Sequence, residues 1–128
     1  MHLPQSAIAC HAVGFAAITP GAAWAEVSVD GAGGATALTR LDDSSLTAAD
    51  LAYAVLVIVT NNDSAETVYA TCTDPGAGAA ALGIPIAPGT AQPLTFYGAS
   101  TAPRCWVYGA AAAPAVTVLM SMAAAGSV

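Results

Sequence analysis

Alternating apolar and polar side chains predict short β-strands near the start of the chain. Residues 25–30 alternate strictly between the two classes, which is the period of a half-buried strand. A glycine-rich segment at 31–34 then predicts a turn, and residues 35–41 alternate again. The two alternating segments together predict a β-hairpin.

A run of aliphatic residues at 55–59, mostly β-branched, predicts a strand over 52–60 that is central and buried on both faces. Asn61-Asn62-Asp63-Ser64 is a strong turn signal, because Asn and Asp tolerate the left-handed conformation. A further strand is predicted at 66–71. These features predict a second hairpin over 52–71.

Further short strands are predicted at 82–86, 94–97, 104–108 and 115–122, each separated by Gly-, Pro- or Ala-rich connections. Short strands without convincing helices are typical of an all-β fold. We therefore expect a single small antiparallel β-sandwich or barrel of about 7–8 short strands over residues 26–128, preceded by an extended N-terminal arm over residues 1–25.

The N-terminal segment is apolar and lacks a clean structural period. The stretch 7–18 followed by Ala23-Trp24-Ala25 imitates a secretory signal with its cleavage site, yet residues 1–5 contain no Lys or Arg. A secreted β-sandwich protein cleaved after Ala25 is therefore one alternative. We favour an arm that packs on a partner, and we expect its anchors to be Leu3, Ile8, Val13, Phe15, Ile18 and Trp24.

Charge and composition narrow the function classes. The chain has 2 basic and 8 acidic residues, a net charge of −6 and no lysine. This balance argues against binding nucleic acid or an anionic membrane surface. With only 8% charged residues, the surface must be largely small and neutral, which favours coverage by neighbours in an assembly.

Few groups are suited to chemistry. His2 and His11 are the only histidines, and no nucleophile motif accompanies them, so we expect no enzymatic activity, no metal site and no cofactor. The three cysteines, Cys10, Cys72 and Cys105, include no C-x-x-C pair. A disulfide between Cys72 and Cys105 is geometrically allowed, although we favour buried thiols that act as small apolar side chains.

Between Val55 and Met120 the chain resembles a family of small β-sandwich proteins from tailed-phage virions. The resemblance rests on an order of segments: Val55–Asn61, Thr67–Tyr69, Leu82–Gly89, Leu94–Phe96, Cys105–Tyr108 and Val116–Leu119. Its most specific part is Gly-Ile-Pro-Ile-Ala-Pro-Gly at 83–89. The segment 76–97 is also faintly similar to capsid-stabilising decoration proteins.

The resemblance implies a non-enzymatic virion component that is assembled in the bacterial cytoplasm. Its partners would be the major capsid protein or other virion proteins, with a capsid decoration (cement) protein as the leading hypothesis. A symmetric homo-oligomer, with a trimer at a capsid three-fold as one candidate, would fit that role. A tail or fibre component that binds a host-surface glycan is the alternative. Exposed Trp106 and Tyr108 beside a polar pocket would favour that alternative.

Overall fold

The structure, a computed structural model, describes residues 10–40, 55–96 and 103–123. Within these residues the chain forms short β-strands and two 3-10 turns, Ala32–Gly34 and Ala80–Leu82. The ten strands are β1 (Cys10–Ile18), β2 (Trp24–Ser28), β3 (Thr36–Ala37), β4 (Thr39–Arg40), β5 (Val55–Asn61), β6 (Val68–Thr71), β7 (Ile84–Ile86), β8 (Ala91–Phe96), β9 (Arg104–Tyr108) and β10 (Val116–Ala123).

The described strands form two five-stranded sheets. The first sheet has the order β4-β1-β10-β5-β8, and the second has the order β3-β2-β9-β6-β7. Every pairing is antiparallel except that between β2 and β3. The predicted all-β fold is confirmed as a small β-sandwich. The strand number exceeds the expectation partly because β3 and β4 have only two residues each.

The core lies between the inner faces of the two sheets. Side chains on successive strand residues point to opposite faces, so every second residue of each strand enters the core. Apolar side chains that are 2% exposed or less come from both sheets: Val57, Val59, Val116, Val118 and Met120 from the first, and Val27, Val68, Ala70, Ile86, Cys105 and Val107 from the second.

The N-terminal segment is not wholly an extended arm, which corrects that prediction. Residues 10–18 form β1, which lies between β4 and β10 and pairs with β10 at eight positions. The register shifts between Ala12 and Gly14, which leaves Val13 in a bulge. A bulge and a run of small residues hide the period of two, so the alternation was not recognisable. Leu3 and Ile8 lie outside the described residues.

Both predicted hairpins are wrong in their pairing, although their strands are largely present. β2 and β3 run parallel. In the connection between them Gly31, Gly33 and Gly34 adopt positive φ, which allows the backbone to turn back so that β3 starts beside β2 in the same direction. β5 belongs to the first sheet and β6 to the second, so the turn at 61–66 is a crossing between sheets.

The side chain of Asn61 is fully buried and stabilises this crossing by hydrogen bonds. Its side-chain Nδ2 donates to Glu66 O at 2.7 Å and to Ile86 O of β7 at 3.0 Å, and its Oδ1 accepts from Asp63 N at 3.0 Å. The Asp63 carboxylate in turn accepts from the amides of Glu66 and Ala65, and these two bonds lower the pKa of Asp63. The end of β5 is thereby tied to the second sheet.

Candidate functional site

The outer face of the first sheet carries an apolar row that runs across the strands. The register aligns Thr39, Phe15, Leu119, Ile58 and Pro93 on β4, β1, β10, β5 and β8, in that order. Neighbouring strands are about 4.8 Å apart, so this row spans roughly 19 Å. Phe15, Leu119 and Ile58 are half-buried, so part of each side chain contacts solvent.

This outer face also lacks charge at every outward position whose side chain the structure describes. The outward residues are Phe15, Ala17, Thr39, Leu56, Ile58, Thr60, Ala91, Pro93, Thr95, Thr117, Leu119 and Ser121. We call these twelve residues the uncharged face. Free monomers normally cover such a sheet surface with charged side chains, whereas surfaces buried in assemblies are depleted of charge.

A second apolar feature lies on the edge of the other sheet. Leu82 is 61% exposed and Ile84 is 44% exposed, the two large apolar side chains most open to solvent in the described part of the chain. Ile84 begins β7, which is the edge strand of its sheet among the described residues, and Pro85 removes one backbone donor from that edge. The proline limits uncontrolled pairing of this edge with other strands.

The outer face of the second sheet is aromatic instead of aliphatic. Trp24 pairs with Tyr108 across β2 and β9, and Tyr108 pairs with Tyr69 of β6. The rings of Trp24 and Tyr108 meet edge to face, with centroids 5.4 Å apart. Trp24 Nε1 donates to Gly78 O at 2.9 Å, which fixes the orientation of the indole.

An ion pair covers the remaining tryptophan of this face. Arg104 Nε donates to Glu26 Oε2 at 2.6 Å, and the Arg104 guanidinium stacks over the Trp106 ring at 4.6 Å. The hydrogen bond to Glu26 raises the pKa of Arg104. Trp106 is only 7% exposed, so it offers little surface to a ligand.

Two shallow clefts flank Trp24. One, of about 330 Å³, lies between Trp24, Tyr108 and the turn 76–78. The other, also about 330 Å³, is lined by Glu26, Thr36, Trp106 and the glycines of the 32–34 turn. Both volumes are at the lower end of those that hold small ligands.

The structure separates the predicted anchors of the N-terminal segment. Phe15 lies in the uncharged face, Ile18 packs against the core, and Trp24 belongs to the second sheet. The sequence analysis did not single out Ile58 and Leu119, which accompany Phe15 in the row. The signal was present, because β5 and β10 carry apolar residues at outward as well as inward positions.

Other features of the described residues indicate no further type of site. They contain no cluster of three or more His, Cys, Asp or Glu side chains suited to hold a metal ion. No helix in this part of the chain has the length and apolar character needed to cross a bilayer.

Comparisons of the chain with known proteins found no match. Neither a protein-family model, nor a curated protein, nor a solved structure matches the chain.

Proposed function

We propose that this chain is a structural protein of a tailed-phage virion, a decoration protein that stabilises the capsid. Its uncharged face would pack against neighbouring capsid subunits, and the chain would be assembled with them in the bacterial cytoplasm. The observation that carries this proposal is the apolar row on a face with no described charge. The resemblance of residues 55–120 to phage virion β-sandwich proteins supports the choice of partner.

Physical chemistry favours assembly through this face. Apolar area that leaves water contributes about 25 cal/mol per Å², and uncharged neighbours add no desolvation penalty for ions. Partly exposed apolar side chains that adjoin across several strands mark surfaces that other proteins cover, because soluble monomers rarely expose large contiguous apolar patches. A symmetric homo-oligomer, with a trimer as one candidate, would place several copies of this face against the capsid at once.

A lysine in the apolar row is expected to weaken capsid binding by about 100-fold, because an unpaired ammonium group would be buried at the interface. Leu119→Lys and Ile58→Lys place that charge at the centre of the row. The measurement is co-sedimentation of the purified full chain with particles of the phage that encodes it, prepared without their own copy of this protein.

Thr71→Lys is the matched control, since it adds the same charge on the outer face of the second sheet. Its binding should stay within about threefold of that of the wild type. Thermal unfolding of each variant verifies that the sandwich has formed. A wild-type chain that does not sediment with particles, or a folded Leu119→Lys variant that binds normally, would refute the proposal.

A second candidate function is glycan binding by a tail or fibre component, and the two clefts beside Trp24 favour it. Sugars place their C–H faces on aromatic rings, while their hydroxyls donate to carboxylates and backbone oxygens. Trp24 supplies such a ring, and Glu26 supplies a carboxylate in the adjoining cleft. Because Trp106 is buried, the aromatic surface that these clefts offer comes from Trp24 and Tyr108, which are half-buried.

Glu26→Gln is expected to weaken glycan binding about tenfold, because a charge-assisted hydrogen bond becomes a neutral one. The full chain is tested on a glycan array, and hits are titrated by calorimetry. Tyr69→Phe, a change on the same sheet outside both clefts, serves as the control. An array on which the wild type binds no glycan argues against this candidate and leaves capsid binding in place.

A further inference from the structure

Cys72 and Cys105 occupy facing positions at the end of the ladder between β6 and β9. The last paired residues of that ladder are Thr71 and Trp106, so Cys72 and Cys105 are the next facing positions. Facing residues of antiparallel strands have Cα atoms about 4.5–5.5 Å apart, and disulfides bridge Cα separations of about 4.4–6.8 Å. If the ladder continued by one residue, the Cα atoms of Cys72 and Cys105 would lie within the range that a disulfide bridges.

Both side chains also point to the same side of the sheet. Val68 and Ala70 are fully buried, and Cys72 is the next inward residue of that series. Cys105 is fully buried beside Val107, and Cys72 packs against the same core. The two thiols consequently lie on the same side of the sheet, next to each other at the border of the core.

The two thiols differ in acidity and in access. The neighbouring Cys105 thiol lowers the pKa of Cys72, which is half-buried and in part open to solvent. The neighbouring Cys72 thiol and complete burial raise the pKa of Cys105. Cys72 is therefore the more acidic and the more accessible of the two thiols, and Cys105 lies next to it as the second sulfur.

We propose that Cys72 and Cys105 form a reversible dithiol–disulfide pair, which a small disulfide oxidant such as oxidised glutathione converts into a bridge between β6 and β9. The Cys72 thiolate attacks one sulfur of the oxidant and releases one glutathione thiolate. Cys105 then gives up its proton to water or to that thiolate and attacks Cys72 Sγ, which releases the second glutathione. Two protein thiols are oxidised, and one glutathione disulfide is reduced to two thiols.

The bridge would hold the second sheet at the point where its central ladder ends. Residues 72 and 105 enclose the connection that contains β7 and β8, so the bridge closes a long loop across both sheets. Closing such a loop restricts the unfolded chain more than the folded one. Oxidation is expected to raise Tm by about 5–10 °C.

The test uses the full chain with Cys10→Ser, which removes the third thiol from the count. After incubation with oxidised glutathione, the intact monomer is expected to lose about 2 Da and to have no thiol open to maleimide under denaturing conditions. Dithiothreitol should restore both thiols and reverse the rise in Tm. Neither measurement needs a variant at Cys72 or Cys105.

Two further variants separate the roles of the sulfurs. With Cys105→Ser, Cys72 should retain glutathione as a stable mixed disulfide and gain about 305 Da. With Cys72→Ser, Cys105 should stay unmodified in the folded protein, because it is buried. A chain that carries glutathione on Cys72 without forming the bridge, one that dimerises through these thiols, or one that leaves both unmodified would overturn the proposal.

Discussion

Replacing Asn61 with alanine is expected to lower the free energy of unfolding by about 3 kcal/mol, with a fall in Tm of roughly 10 °C. Asn61 is fully buried, and its amide makes three hydrogen bonds to backbone groups of the crossing and of β7. Alanine removes all three. The carbonyls of Glu66 and Ile86 and the amide of Asp63 then lose a partner where little water can replace it.

The size of this effect follows from burial more than from the number of bonds. A hydrogen bond made in place of one to water contributes only about 1 kcal/mol, whereas a buried group left without a partner costs about 1–3 kcal/mol. Asn61 also joins the end of a first-sheet strand to β7 of the second sheet. Its loss therefore loosens the contact between the layers as well as the turn.

Urea denaturation measures the change, and Asn62→Ala is the matched control. Asn62 is exposed and donates one side-chain bond, to Thr117 Oγ1 at 2.9 Å, so its replacement should cost less than about 1 kcal/mol. Equal effects of the two substitutions, or a loss below about 1 kcal/mol for Asn61→Ala, would show that the buried amide does not hold the sheets together.

Most strands of the fold could be predicted from the sequence, because their cause is local. The β-branched run at 55–59 forms β5, the predicted strand at 104–108 coincides with β9, and the predicted strand at 115–122 lies over β10. In each case a period of two or a set of β-branched side chains favours an extended backbone. Neighbouring residues alone are enough to produce that signal.

Strand pairing could not be predicted in the same way, because it depends on residues distant in sequence. The turn signal at 61–64 is real, but it does not specify whether the next strand returns to the same sheet or crosses to the other. The crossing is specified by the contact of Asn61 with Ile86, 25 residues later. Similarly, Gly14 allows β1 and β4 to approach closely, since a Cβ there would lie 2.5 Å from Thr39 O.

For the candidate site, too, some features could be predicted from local sequence and others depend on strand pairing. The sequence analysis predicted that β5 is buried on both faces, and the structure buries Val57 and Val59 completely while Leu56 and Ile58 stay half-buried. Leu56 and Ile58 would also become buried, as predicted, if a partner covered the uncharged face. The row formed with Phe15 and Leu119 needed the strand order, which no local pattern contains.

Removal of residues 1–18 is expected to abolish cooperative folding. β10 would change from an inner strand to an edge, and β4 would lose its pairing with β1. The truncation would also remove the inward side chains of Ala16 and Ile18, which would expose the core beside Val116 and Val118. The loss of eight paired positions and of this apolar contact would cost a free energy close to the whole stability of a domain, which is about 5–15 kcal/mol.

Removal of residues 1–9 is the control, because all ten described strands stay in that chain. Circular dichroism, amide chemical-shift dispersion and urea unfolding distinguish the two truncations. Only the chain that lacks residues 1–9 should unfold cooperatively. If the chain lacking residues 1–18 unfolds with a wild-type midpoint, β1 is a dispensable arm after all. If the chain lacking residues 1–18 does not fold, cleavage after Ala25 would likewise remove a strand that the sandwich needs. Capsid binding then has to be tested with Leu119→Lys, because a truncated chain would fail to bind for lack of folding.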